Sequence, residues 1–93
     1  MPRYLVERSV PHAGELTAVD LNAIAEQGLL VQKNLKGRIQ WINSTFTANR
    51  MISLYIADDE TAVREHARRS GLPIQRISKV TAVINPTMDA LGE

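Results

Sequence analysis

Residues 58–73, DDETAVREHARRSGLP, constrain the fold more than any other part of the chain, because they specify both ends and the buried side of one helix. Asp59 can accept from the free amides of a first helical turn. Asp58 and Glu60 add negative charge at the positive end of the helix dipole. Glu60–Arg64 and Glu65–Arg69 are i,i+4 pairs with the acid first, the favourable order. Gly71 suits the left-handed position that ends a helix, Leu72 can fold back onto Ala67, and Pro73 prevents continuation. The inward stripe is then Ala62, Val63, His66 and Ala67. Three of these are small, so the helix should lie close to whatever it covers.

The rest of the chain falls into place around this helix. Residues 3–10 read as a strand with Tyr4, Leu5 and Val6 at its centre, ended by Pro11. After the HAGE loop, Thr17 and Asp20 form a capping-box signature, with Leu16 and Leu21 as its hydrophobic staple. Leu21, Ile24, Gly28, Val31 and Leu35 follow at spacings of three and four, a helical stripe that stops near Gly37. Gly28 costs about 1 kcal/mol relative to alanine inside a helix, which points to close packing against a strand. Residues 39–47 and 51–57 read as two strands joined by a short hairpin at 48–50, and residues 76–84 as a fourth strand. The order β-α-β-β-α-β with right-handed crossovers predicts a ferredoxin-like α+β domain over residues 1–86. Its four-stranded antiparallel sheet carries both helices on one face, and residues 87–93 form a tail.

Strict alternation assigns side chains to the two faces. It places Ile52, Leu54 and Ile56 under the helices, with Ile42, Phe46, Val80, Ala82 and Ile84. It leaves Trp41, Asn43, Thr45, Met51, Ser53, Tyr55, Ile77, Lys79, Thr81 and Val83 on the open face, beside Leu5 and Glu7. A face that mixes rings, aliphatics and a few polar groups marks an interface or a ligand site. Two sheets packed face to face would give a homodimer, with either a dimer core or a small-molecule pocket between them.

The segments MPRYLVER, the single Trp41 in the second strand and, above all, AVREHARRSGLP resemble a family of small bacterial domains of unknown function, one member of which is described as nickel-binding. The resemblance spans residues 1–86. It implies a ferredoxin-like fold, assembly of the dimeric α+β-barrel type, and nickel or another divalent transition metal as cofactor. The chain departs from the family pattern at Ile56, where a carboxylate commonly follows the third-strand tyrosine, and at Thr45, where a second tyrosine commonly stands.

Three groups of residues could carry chemistry. His66 and His12 are the metal candidates, since imidazole suits nickel, copper and zinc. The helical neighbours of His66 at i±3 and i±4 supply no carboxylate or imidazole, so a metal there needs ligands from another element; a half-buried structural histidine is the competing reading. His12, in the first β-to-α loop, could form a surface site with Asp58, Asp59 or Glu15, and is too far from His66 to share an ion within one chain. Glu7 facing Tyr55 is the acid/base candidate, with Trp41 and Asn43 lining a cavity for isomerase-like proton transfer. The competing reading pairs Glu7 with Arg3, Arg8 or Lys79. The leading function is a non-catalytic metal-binding protein, and the alternative is a small dimeric barrel enzyme or ligand-binding protein.

A net charge of +1 gives no electrostatic case for nucleic acid or an anionic membrane. The third strand, NRMISLYIA, also lacks the glycine-aromatic pattern by which such folds bind RNA. The absence of cysteine removes thiol nucleophiles and zinc ribbons and is compatible with a cytoplasmic location.

Overall fold

A computed structural model describes residues 1–86 of the chain, and the predicted tail at 87–93 lies outside them. The elements are β1 (Arg3–Ser9), α1 (Ala18–Asn34), β2 (Ile39–Phe46), β3 (Arg50–Ala57), α2 (Glu60–Ser70) and β4 (Arg76–Lys79), with a 3-10 turn at Ala13–Glu15. The strands form one antiparallel sheet in the order β2-β3-β1-β4, the ferredoxin-like arrangement.

The helix signals act as read. Asp59 accepts from the amide of Ala62 at 2.9 Å. Gly71 is left-handed at φ 72°, and the Leu72 amide reaches back to the Ala67 carbonyl at 3.0 Å, as in a Schellman turn. Ala62, Val63, His66 and Ala67 are all buried. At α1 the capping box is complete, with Thr17 and Asp20 each accepting from the other's amide. The two helices differ in amphipathicity: α1 leaves Val19, Leu29 and Leu30 in solvent, while the outer side of α2 is charged.

β4 ends at Lys79, not near residue 84, because β1 runs out of partners. The last ladder bond joins the Val80 amide to the Arg3 carbonyl; only Met1 and Pro2 precede Arg3, and Pro2 turns its carbonyl the other way, to the Ala57 amide of β3. Residues 81–86 continue beyond the sheet, exposed. Ala82 and Ile84 are therefore not under the helices.

The faces of the sheet also correct the alternation reading. Tyr4, Val6 and Arg8 of β1 are buried under the helices and pair directly with Tyr55, Ser53 and Met51 of β3. Directly paired residues share a face. Met51, Ser53, Tyr55 and Ala57 are thus covered, and Ile52, Leu54 and Ile56 lie on the open face with Leu5 and Glu7. Ile77 and Lys79, paired with Val6 and Tyr4, are likewise on the helix side. In β2 an irregularity between Trp41 and Asn43 inserts Ile42 as an extra residue. It puts Trp41, Ser44 and Phe46 on the covered side, and leaves Asn43 and Thr45 open.

The core consists mainly of Tyr4, Val6, Val31, Leu35, Ile39, Tyr55, Ala57, Ala62 and Val63, with Trp41, Ile74 and Ile77 packed against it. Gly28 explains itself here. A Cβ at this position would lie 2.8 Å from Cζ3 of Trp41, so the indole occupies the space that a side chain on α1 would need. The Trp41 amide also donates to Oε1 of Gln32 at 2.8 Å, tying the edge strand to the helix. No helix among the described residues is long and apolar enough to cross a membrane.

Candidate functional site

The polar side chains that the fold gathers lie between α2 and the sheet. Arg8 is the centre of this cluster and is 1% exposed. Its Nε donates to the Leu72 carbonyl at 3.1 Å, and its two terminal nitrogens donate to Ser53 Oγ at 3.2 Å and Tyr55 Oη at 3.3 Å. Its guanidinium carbon also lies 5.8 Å from the Tyr55 ring centroid. Ser53 Oγ is 2.6 Å from Ser44 Oγ, which accepts from Trp41 Nε1 at 2.9 Å. Every buried side-chain N or O among the described residues has a partner. Among the described residues Arg8 has no acid partner, and its guanidinium is held by neutral acceptors.

His66 sits in the same layer, 1% exposed. Its Nε2 is 2.9 Å from the Gly28 carbonyl. A carbonyl only accepts, so Nε2 carries the proton. Nδ1 faces Ser70 Oγ at 3.4 Å, while that hydroxyl gives its one proton to the His66 carbonyl. The imidazole ring lies 5.3 Å from the Tyr55 ring, tilted by 57°. Burial pushes the imidazole pKa below its ordinary value; the Gly28 hydrogen bond opposes this and the nearby Arg8 charge adds to it. The result is a neutral histidine with Nε2 bonded to a carbonyl and Nδ1 buried against a hydroxyl, away from solvent.

His12 is the opposite case. It occupies a left-handed position at φ 63°, its amide donates to Asn49 Oδ1 at 3.2 Å, and its side chain is 81% exposed. Nδ1 lies 2.9 Å from a Glu15 carboxylate oxygen. The expected neighbours Asp58 and Asp59 are at the other end of the sheet. β1 and β3 are antiparallel, so the loop after β1 meets the β2–β3 hairpin, while α2 starts beside Pro2 and Arg3. Of the three acids considered, only Glu15 is brought to His12. Among the described residues no three histidines or carboxylates come together around a common point.

Glu7 and Tyr55 do not meet. Glu7 lies on the open face, 3.7 Å from Arg50 and 3.9 Å from Arg76, rather than beside Arg3, Arg8 or Lys79. Tyr55 is buried on the other face with its hydroxyl on Arg8. Trp41 and Asn43 are separated in the same way by the bulge in β2. A concavity of about 280 Å³ lies elsewhere, beside the C-terminal half of α2, lined by Arg64, Ala67, Arg68, Pro73 and Ile74.

Arg8, Ser53 and Ser44 were missed as site residues. Arg8 had a signal, since it shares period-two parity with Tyr4 and Val6 in a strand whose other face carries Leu5 and Glu7. The serines had none, because their roles depend on what crosses above them.

A family model described as nickel responsive protein SCO4226-like matches residues 4–80. The crystal structure of SCO4226 from Streptomyces coelicolor A3(2) superposes with a TM-score of 0.76 at 15% sequence identity, covering 88% of this chain and 99% of that one. At that identity the likeness supports the fold. No curated protein matches the sequence.

Proposed function

Because the chain belongs to the nickel-responsive SCO4226-like family, we propose that it is a small, non-catalytic, cytoplasmic homodimer that takes nickel or a similar divalent cation at a surface site on His12. The observation that carries this reading is the exposed pair of His12 Nδ1 and Glu15 at 2.9 Å; the other histidine, His66, is buried. Imidazole and carboxylate are both ligands for divalent first-row metals. The fit is partial. His12 and Glu15 offer two donors, and solvent would have to supply the rest, which predicts modest affinity.

Dimerisation is supported by the open sheet face, where Leu5, Ile52, Leu54 and Ile56 form a row of aliphatic side chains with no second layer over it among the described residues. A contiguous apolar surface of this kind favours association. The acid/base alternative loses its premise with Glu7 and Tyr55 on opposite faces of the sheet.

Calorimetric titration with nickel tests the metal reading. Heat should appear with the wild type and be lost in His12→Ala, with Glu15→Ala intermediate. A wild type silent at large metal excess would end it. Sedimentation tests the assembly: Leu54→Asp should shift a dimer to a folded monomer. Wild-type protein that sediments as a monomer at every workable concentration would refute the dimer.

A further inference from the structure

His66 joins both helices to the sheet. It belongs to α2, donates through Nε2 to the Gly28 carbonyl of α1, and packs its ring on Tyr55 of β3. We propose that His66 and Arg8 form an acid-sensitive latch, in which protonation of the imidazole puts a second cation into a layer that already holds one and releases the helices from the sheet.

The charges around the latch define it. β1 contributes the buried Arg8, whose partners are the neutral Leu72 carbonyl, Ser53 hydroxyl and Tyr55 hydroxyl. β3 contributes the Tyr55 ring, and α1 contributes an uncharged carbonyl. On α2 itself the hydroxyl of Ser70 faces Nδ1, while Glu65 is turned outward to Arg68 and Arg69. No carboxylate among the described residues is buried. An added proton therefore finds a hydrogen-bond acceptor in Ser70 and no counter-charge. Two cations in one dry layer are relieved by opening it to water, since separation and solvation both weaken their repulsion. The alternative remedy, an inward acid, is missing among the described residues.

The sign follows from linkage. The folded chain holds His66 neutral, and the unfolded chain takes up the proton near the ordinary value of 6.5. Stability contributed by the neutral imidazole is complete above that value. It falls as pH drops below it, by at most about tenfold in the folding equilibrium per pH unit for one proton.

The test is an NMR titration of the wild-type protein from neutral to acid pH. The His66 ring resonance should keep its neutral position until the α2 amide resonances lose their native dispersion, with the two midpoints coinciding. His66→Gln, whose amide can still donate to Gly28, should remove the loss of stability just below pH 6.5 that the wild type shows. A His66 that protonates while α2 stays intact would overturn the latch, as would a Gln variant whose stability profile parallels that of the wild type.

Discussion

The two faces of the sheet are built from different materials. The face beneath the helices carries an arginine, Tyr55 and serines in one hydrogen-bonded layer, with a histidine reaching in from above. The open face carries Leu5, Ile52, Leu54 and Ile56, with Glu7 held between Arg50 and Arg76. In β3 alone, apolarity would assign the two sides the other way round. The difference teaches that hydrophobicity decides whether a face will be covered, while size and hydrogen bonding decide by what. The stripe of α2 is thin, so large side chains such as Tyr55, Met51 and Arg8 must rise from the sheet to fill the layer. Gly28 and Trp41 repeat the same complement on α1. A flat aliphatic row suits another sheet better than a helix.

Matched truncations on the two faces put the contrast to its strongest test. Tyr55→Ala should cost about 3–5 kcal/mol in urea unfolding, as a buried aromatic lost from a filled layer does. That cost should persist at chain concentrations too low for association, whereas the cost of Leu54→Ala should shrink there. Equal costs at every concentration would erase the distinction between the faces. Next in size is Gly28→Ala. The new methyl drives into the indole of Trp41, and overpacking of about 1–3 kcal/mol should outweigh the helix-propensity gain of about 1 kcal/mol. A stabilised variant would mean that Trp41 yields easily and that the covered layer is looser than described.

The smallest effect belongs to the outer surface of α2. Hydrogen bonds from Arg68 and Arg69 hold the Glu65 carboxyl below its ordinary value of 4.5, at about 2. A depressed carboxylate adds stability above the unfolded value and loses it as pH falls from about 4.5 toward 2. Glu65→Gln should therefore lower thermal stability slightly at neutral pH and converge with the wild type in strong acid. Exposed pairs contribute little. The converse result, a large neutral-pH loss, would show that the outer surface of α2 matters as much as its inner one.

Much of the fold was legible from short-range signals. Asp59, Gly71 and the Thr17–Asp20 box act locally, so their effect on the backbone could be read without knowing what lay overhead. The four buried positions of α2 followed from helical periodicity for the same reason. The candidate site was much less legible. Glu7 with Tyr55, and Trp41 with Asn43, were joined by counting alternate residues. Ile42 breaks that count in β2, and in β3 both parities are apolar enough to be buried, so alternation alone does not choose between them. His66 was readable as half-buried, but its carbonyl partner in α1 lies 38 positions away.

What the chain determined unaided is its list of elements, their caps and their order, because each depends on contacts a few residues apart. From that order the β2-β3-β1-β4 sheet follows almost by chirality alone. Which side of β3 meets the helices was decided only when the layers closed. At that point small helix residues could accept large sheet residues, and Arg8 found its acceptors on Ser53, Tyr55 and Leu72. Those choices depend on volume and on hydrogen-bond partners from distant segments, quantities that no local window of sequence contains.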